Sequence, residues 1–311
     1  MNIWIEPGSE LRDPRPDLLP YAVHDRRSRA VKLSVDQFRE WKNKSITLFG
    51  MSGVGKTCLA NRLRKANWFH YSGDYRIGTR YLDEPILDNI KQQCMYIPLL
   101  RDLLRTDSIH ISNNITVDNL RPVSVFLGKL GNPEKGGLGL EEFQRRQRLH
   151  LDAEIAAMND VPGFITKAHE IYGYAHFVND AGGSVCELDD EAVLETLAAH
   201  TVVLYIRATE SDEHELIRRA EADPKPLYYR EAFLEEQLAA YMQAFSLPYV
   251  AMIDPDEFVR WIFPKLFNSR LPRYQAIADR YGYTISTADL WRVQNEADFL
   301  ALMEKVLVEQ A

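Results

Sequence analysis

Cysteine is scarce in this chain. There are three, Cys58, Cys94 and Cys186, among 311 residues. An odd, scattered set without a C-x-x-C pair gives neither a disulfide framework nor a cysteine-based metal site. The eight histidines show no H-x-x-x-H spacing, so a protein-bound zinc site is not expected. No apolar run approaches the roughly 18–20 residues of a membrane span. The opening MNIWIEPGSELRDPRP lacks the cationic and then apolar pattern of a signal peptide, so a cytoplasmic protein without a membrane partner is expected. An excess of basic charge is also missing. With 37 Lys and Arg against 45 Asp and Glu, the net charge is −8, which excludes a broadly basic nucleic-acid coat. Internal repeats and low-complexity tracts are absent.

What remains is a globular composition, 46% hydrophobic and 26% charged. At roughly 100–200 residues per domain, the length suits two domains or one with a large insertion. Residues 1–44 read as a polar N-terminal extension. They hold several prolines, the basic cluster Arg26-Arg27-Ser28-Arg29 and, after Ser34 or Asp36 as a cap, a short helix to about Trp41. From Ser45 short apolar runs alternate with helical patterns. The runs Ile46–Phe49, Trp68–Tyr71, His176–Asn179, Val202–Ile206 and Tyr249–Ile253 read as buried strands, and Thr57–Arg64, Glu213–Ala222 and Ala232–Ala244 read as helices. That alternation predicts right-handed βαβ crossovers and an α/β fold: a three-layer sandwich around a five-stranded parallel sheet. Helical periodicity over Ile86–Leu104, Leu140–Met158 and Gly163–Tyr172 fills an interval too long for a crossover, so residues 83–174 are expected to form a helical insertion. The core is then 45–82 and 175–270, and 271–311 a C-terminal extension with a possible strand at Tyr283–Ser286 and a helix at Glu296–Val308.

The strongest motif is Gly50-Met51-Ser52-Gly53-Val54-Gly55-Lys56-Thr57, which fits G-x-x-x-x-G-K-[ST] between a strand and a helix. Glycines let successive N–H groups point inward as an anion nest, and the following helix adds the positive end of its dipole. A nucleoside triphosphate is expected to contact Gly50, Ser52, Gly53, Val54, Gly55, Lys56, Thr57 and Cys58. Lys56 would neutralise the terminal phosphates, and the Thr57 hydroxyl would ligate Mg²⁺. Cys58 otherwise packs under the loop.

Three further segments carry chemistry. Asp180, ending the run Phe177-Val178-Asn179-Asp180, is placed to hold a Mg²⁺-bound water, and Gly182-Gly183 allow a substrate close to the backbone. The plainer alternative is a strand ending in a turn. Asp74 follows the second strand, where it could accept a proton from an attacking hydroxyl, with Arg76 or Arg80 holding an anionic group of the acceptor; alternatively Asp74 caps the next helix. The stretch from Arg218 to Arg230 carries two prolines and four cations. It suits a lid bringing Arg218 and Arg230 to the transferring phosphoryl group, or else a solvated helix connection.

Together these segments resemble the shikimate-kinase-like branch of the P-loop small-molecule kinases, related to the nucleoside monophosphate kinases. The resemblance covers about Ser45–Tyr81 and His176–Phe267, with Pro226-Leu227 matching the lid and Tyr249–Phe267 the adenine loop. It implies ATP and Mg²⁺ as cofactors and catalytic roles for Lys56, Asp74 and lid arginines. The first acid of the family's D-x-D pair falls on Ser72, the triple glycine reads Ala181-Gly182-Gly183, and a long insertion occupies the acceptor side. Only the donor half therefore carries over. The expected activity is transfer of a γ-phosphoryl group to a hydroxyl or phosphate of a small molecule or nucleotide. Two other readings compete with it. One is a kinase acting on nucleic acid, tracked by Arg145-Arg146-Gln147-Arg148 and the N-terminal cluster. The other is a regulatory ATPase; the missing N-K-x-D argues against GTP.

Overall fold

A computed structural model of the protein describes residues 33–310. The N-terminal prolines and the Arg26-Arg27-Ser28-Arg29 cluster lie outside the described residues. Helix α1 (Val35–Glu40) starts at Ser34, whose hydroxyl accepts from the Gln37 backbone while the Gln37 side chain accepts from Ser34 in return. Strand β1 (Ser45–Phe49) is buried at every position, as a continuous apolar run between two helical layers requires.

The chain continues through α2 (Lys56–Arg64), β2 (Trp68–Ser72) and α3 (Gly73–Arg76), which runs into a π-helical turn (Ile77–Tyr81). The insertion contributes α4 (Asp83–Cys94), α5 (Pro98–Arg105), α6 (Arg121–Leu127), α7 (Leu140–Asn159) and α8 (Val161–Thr166). The second half comprises β3 (His176–Asp180), α9 (Glu191–His200), β4 (Val202–Arg207), α10 (Glu210–Ala222) and α11 (Glu231–Ala244). It closes with α12 (Pro255–Tyr281), β5 (Gly282–Ser286), α13 (Thr287–Arg292) and α14 (Glu296–Glu309).

All five strands are parallel, in the order β2-β3-β1-β4-β5. The expected α/β sandwich is thus present, but its fifth strand does not come from the run Tyr249–Ile253. The run Tyr249–Ile253 forms only a short 3-10 turn at Val250–Met252, because Asp254 immediately caps α12 and Pro255 starts it. The fifth strand is Gly282–Ser286, in register with Val203–Arg207. Its residues alternate between half-buried and buried, the pattern of an edge strand. The helical periodicity of 86–104 likewise splits into α4 and α5, because Pro98 cannot donate to a continuing helix.

The main apolar core joins both faces of the sheet to α1, α2, α7, α8 and α14. Trp68 lies within it, fully buried, edge-on to Phe299 with ring centroids 5.8 Å apart and donating to Glu296 at 2.6 Å. A second core, centred on Phe143, Tyr229, Leu234, Phe258 and Ile262, ties the insertion to α11 and α12. Chain order reverses on either side of β1. The β1–α2 loop and the ends of β2 and β3 therefore meet at one edge, where Ser72 pairs with Asp180.

Candidate active site

The β1–α2 loop takes positive φ at Gly50 (144°), Gly53 (92°) and Gly55 (100°), conformations that side-chain-bearing residues rarely adopt. A Cβ on Gly50 would also lie 2.6 Å from the Ile206 carbonyl, so the turn folds as it does only with glycine there. Lys56 is buried at the start of α2 and donates to the carbonyls of Gly50 at 2.7 Å and Met51 at 3.0 Å. Burial lowers its pKa, and the carboxyls of Asp180, Asp74 and Glu154 offset part of that effect. Thr57 donates to Asp180 at 2.7 Å. His70 Nε2 lies 3.5 Å from the same carboxylate oxygen. Val54 is buried beneath the loop, whereas Cys58 is exposed and does not pack under it.

Asp74 does not cap α3. Ser72 does, accepting from Tyr75, which leaves the Asp74 carboxylate free to line a cleft of about 680 Å³. Ser52 and Gly53 from the phosphate loop, Gly183, and Arg218 and Arg219 from α10 line the same cleft. The Gly182-Gly183 turn joins its two halves. A Cβ on Gly183 would lie 3.1 Å from the Ser52 nitrogen, and one on Gly182 would collide with Glu154 and sit 3.1 Å from Asp74 Oδ1. The Gly183 carbonyl is fixed by Arg270 at 2.9 Å and by the Tyr274 hydroxyl at 2.7 Å.

Three residues here carried no motif. Glu154 and His150, one turn apart on α7, and Arg270 on α12 are all buried. Glu154 accepts from Ser184 at 2.6 Å through Oε2, while Oε1 has no partner. Its pKa rises to about 7, through burial first and then repulsion from Asp74, against the Ser184 bond. Asp74 rises to about 6 by burial and by repulsion from Asp180, with Lys56 opposing. Burial and the nearby Arg270 guanidinium push His150 down to about 4. Arg270 donates to Glu187 at 2.6 Å and to the Tyr228 carbonyl at 2.8 Å. A signal existed for the two on α7, since the stripe Phe143–Gln147–His150–Glu154–Ala157 sets polar groups among the apolar core positions of that helix.

Other expected site residues lie elsewhere. Arg76 bonds Asp160 at 2.7 Å and stacks on Phe164, its guanidinium carbon 5.0 Å from the ring centre. Arg80 is exposed on the π-helical turn, and neither arginine lines the cleft. Arg218 and Arg219 share Glu215 at 2.8 and 2.7 Å. Arg230 sits behind the cleft, 3.6 Å from Glu187 and 3.5 Å from Asp189. The lid segment divides accordingly. Its second half is held to α7, where Gln147 accepts from Tyr229 at 2.8 Å and donates to Leu227 at 3.2 Å.

The Tyr249–Ile253 segment does not reach the phosphate loop. It meets the insertion, with Asn132 donating to the Ile253 carbonyl at 2.8 Å. Leu290 and Trp291 of α13 approach the loop instead, next to Gly55. The basic run at 145–148 is no free strip either. Arg146 is buried on Glu142, Asn89 and the Phe126 carbonyl, Gln147 is buried as well, and Arg145 pairs with Glu142. Among the described residues no helix is long and apolar enough to cross a membrane.

No family model and no curated protein matches the chain. Solved structures similar to it include shikimate kinase from Bacteroides thetaiotaomicron, at 16% identity and a TM-score of 0.37, over 85% of this chain and 98% of that one. Shikimate kinase from Acinetobacter baumannii in complex with shikimate matches at 16% identity and a TM-score of 0.31, over 88% of this chain and 94% of that one. The strand order and the loop between β1 and α2 settle the fold class on their own. The fold is a P-loop NTPase-type α/β sandwich, with added helices.

Proposed function

We propose that the protein is an ATP- and Mg²⁺-dependent phosphotransferase that moves the γ-phosphoryl group to a hydroxyl of a small molecule. The observation that carries this reading is the shared cleft: Ser52 and Gly53 of the phosphate loop open onto the same space as Asp74, with Gly183 between them. A regulatory ATPase needs no such second half. A nucleic-acid acceptor is disfavoured because Arg146 and Gln147 are buried.

The donor half would hold the triphosphate on the inward N–H groups of residues 50–57, with Lys56 supplying positive charge at the rim. The exposed Trp291 beside Gly55 offers a face for the base. Thr57 and Asp180 place two hard oxygen donors side by side at the nest, a set that suits Mg²⁺. Thr57 would ligate the ion and Asp180 would hold one of its waters. When bound, the metal supplies charge neutralisation of the phosphates.

On the acceptor side, Asp74 takes the proton as the hydroxyl oxygen attacks the γ-phosphorus. The bond to the β-phosphate oxygen breaks, and ADP leaves. Arg218 and Arg219 lie across the cleft and would face the charge that develops. The insertion 83–174 supplies the acceptor wall through α6 and α7, set into a core made of 45–82 and the segment from 175 on, which includes β5 and α14 beyond the expected limit at 270. The test is phosphoryl transfer from labelled ATP to pooled metabolites, with Lys56→Ala as the blank. Acceptor-dependent transfer that disappears in the variant supports the reading. Turnover that is fast without any acceptor and unchanged when the pool is added refutes it.

A further inference from the structure

We infer that the acceptor is an uncharged, hydroxyl-bearing molecule with an apolar body, rather than a carboxylate or a phosphate ester. The inference rests on the phosphotransferase reading above and deepens it. Three features of the cleft carry it, taken in turn from its polar floor, its cations and its walls.

The floor is acidic. Asp74 lines it beside Ser184, and the buried Glu154 stands directly behind, bonded to Ser184 through Oε2, with its Oε1 and Asp74 Oδ1 converging on the same face of Gly182 and Oε1 unpartnered among the described residues. Such oxygens accept from hydroxyls and repel anions.

Every basic side chain on the lining, among the described residues, is already paired, committed to the phosphoryl group or uncharged. Arg270 is buried against Glu187 and two carbonyls. Arg218 and Arg219 share the single carboxylate of Glu215, and the positive charge left over faces the transferring phosphoryl group in the reading above; Lys225 lies 3.5 Å from Asp223. His150 lies flat on Tyr228 with centroids 5.5 Å apart, and burial keeps its ring neutral. An anionic acceptor would shed its water and gain no uncommitted cation in return, against the facing Asp74 carboxyl.

The walls are apolar. Leu120, Val123 and Leu127 stand at α6 of the insertion, and Leu227, Val259 and Phe263 complete the surface. A strongly hydrated small polyol leaves that surface wet, whereas a polyol with an apolar flank covers it.

The experiment uses the full chain, labelled ATP and two matched pools. One holds uncharged polyols with apolar bodies, namely nucleosides and aryl glycosides. The other holds their charged counterparts, nucleoside monophosphates and aryl glucuronides. ATP binding is followed separately by calorimetry. The expected result is a kcat/KM at least about tenfold higher for the best uncharged acceptor than for its anionic counterpart. Equal or better use of the anionic member overturns the inference, as does no transfer to any uncharged acceptor while ATP still binds; both outcomes leave the donor site standing. Absence of ATP binding overturns the phosphotransferase reading itself, and the inference with it.

Discussion

Replacing Glu154 by Gln isolates the cost of the buried acid. The carboxyl is wholly buried, and its pKa rises from 4.5 to about 7 on folding. A raised acid pKa means that the folded chain binds the proton more tightly than the unfolded one. The stability that this proton contributes is complete below pH 4.5 and is lost as pH rises through about 7. At about 1.4 kcal/mol per pKa unit, the loss by pH 8 is on the order of 3 kcal/mol. Glutamine has nearly the same shape, accepts from Ser184 as the acid does, and carries no charge to bury. The variant is therefore expected to match the wild type near pH 4 and to exceed it by up to about 3 kcal/mol at pH 8. Urea midpoints across that range measure the gap. A gap that stays constant with pH, or one that widens toward acid, would refute the assignment of Glu154 as a buried proton carrier.

The remaining predictions concern the cleft. If Asp74 is the base, kcat/KM falls as pH drops below about 6, because the carboxylate must be ionised to accept a proton. Asp74→Asn is expected to remove that limb and to lower the rate by about 10²–10⁴, and a limb unchanged in the variant would assign it elsewhere. Gly182→Ala drives a methyl group into Glu154, so acceptor-dependent turnover should collapse while calorimetry finds ATP affinity retained. Gln147→Ala strips a partner from the buried Tyr229 amide; a loss of about 1–3 kcal/mol in urea denaturation, together with a raised KM for the acceptor, is the expected outcome.

The donor half of the site is legible in the sequence because its physics is local. A nest needs glycines at fixed offsets, and Gly50, Gly53 and Gly55 stand at those offsets with the positive φ they allow. The acceptor half is assembled by packing between distant segments. His150 and Arg270 line the cleft, and Glu154 lies next to Asp74, only because packing brings α7 and α12 together there, a juxtaposition of segments more than a hundred residues apart. The misplaced strand has a comparable cause. Tyr249–Ile253 and Gly282–Ser286 are both short runs that could pair, and pairing with β4 decided between them. The arginines of the lid show the limit of charge patterning. Arg218 and Arg230 look equivalent in a basic stretch, but one lines the cleft while the other is held near Glu187 and Asp189 behind it.

The most direct test of the account is a calorimetric titration of the full chain with ATP in the presence of magnesium, paired with Lys56→Ala. The wild type is expected to bind, and the variant to bind weakly and to turn over at least about a hundredfold more slowly, the scale on which a key transition-state charge acts. A wild-type chain with no affinity for any nucleoside triphosphate, or a variant that binds and turns over as the wild type does, would contradict it.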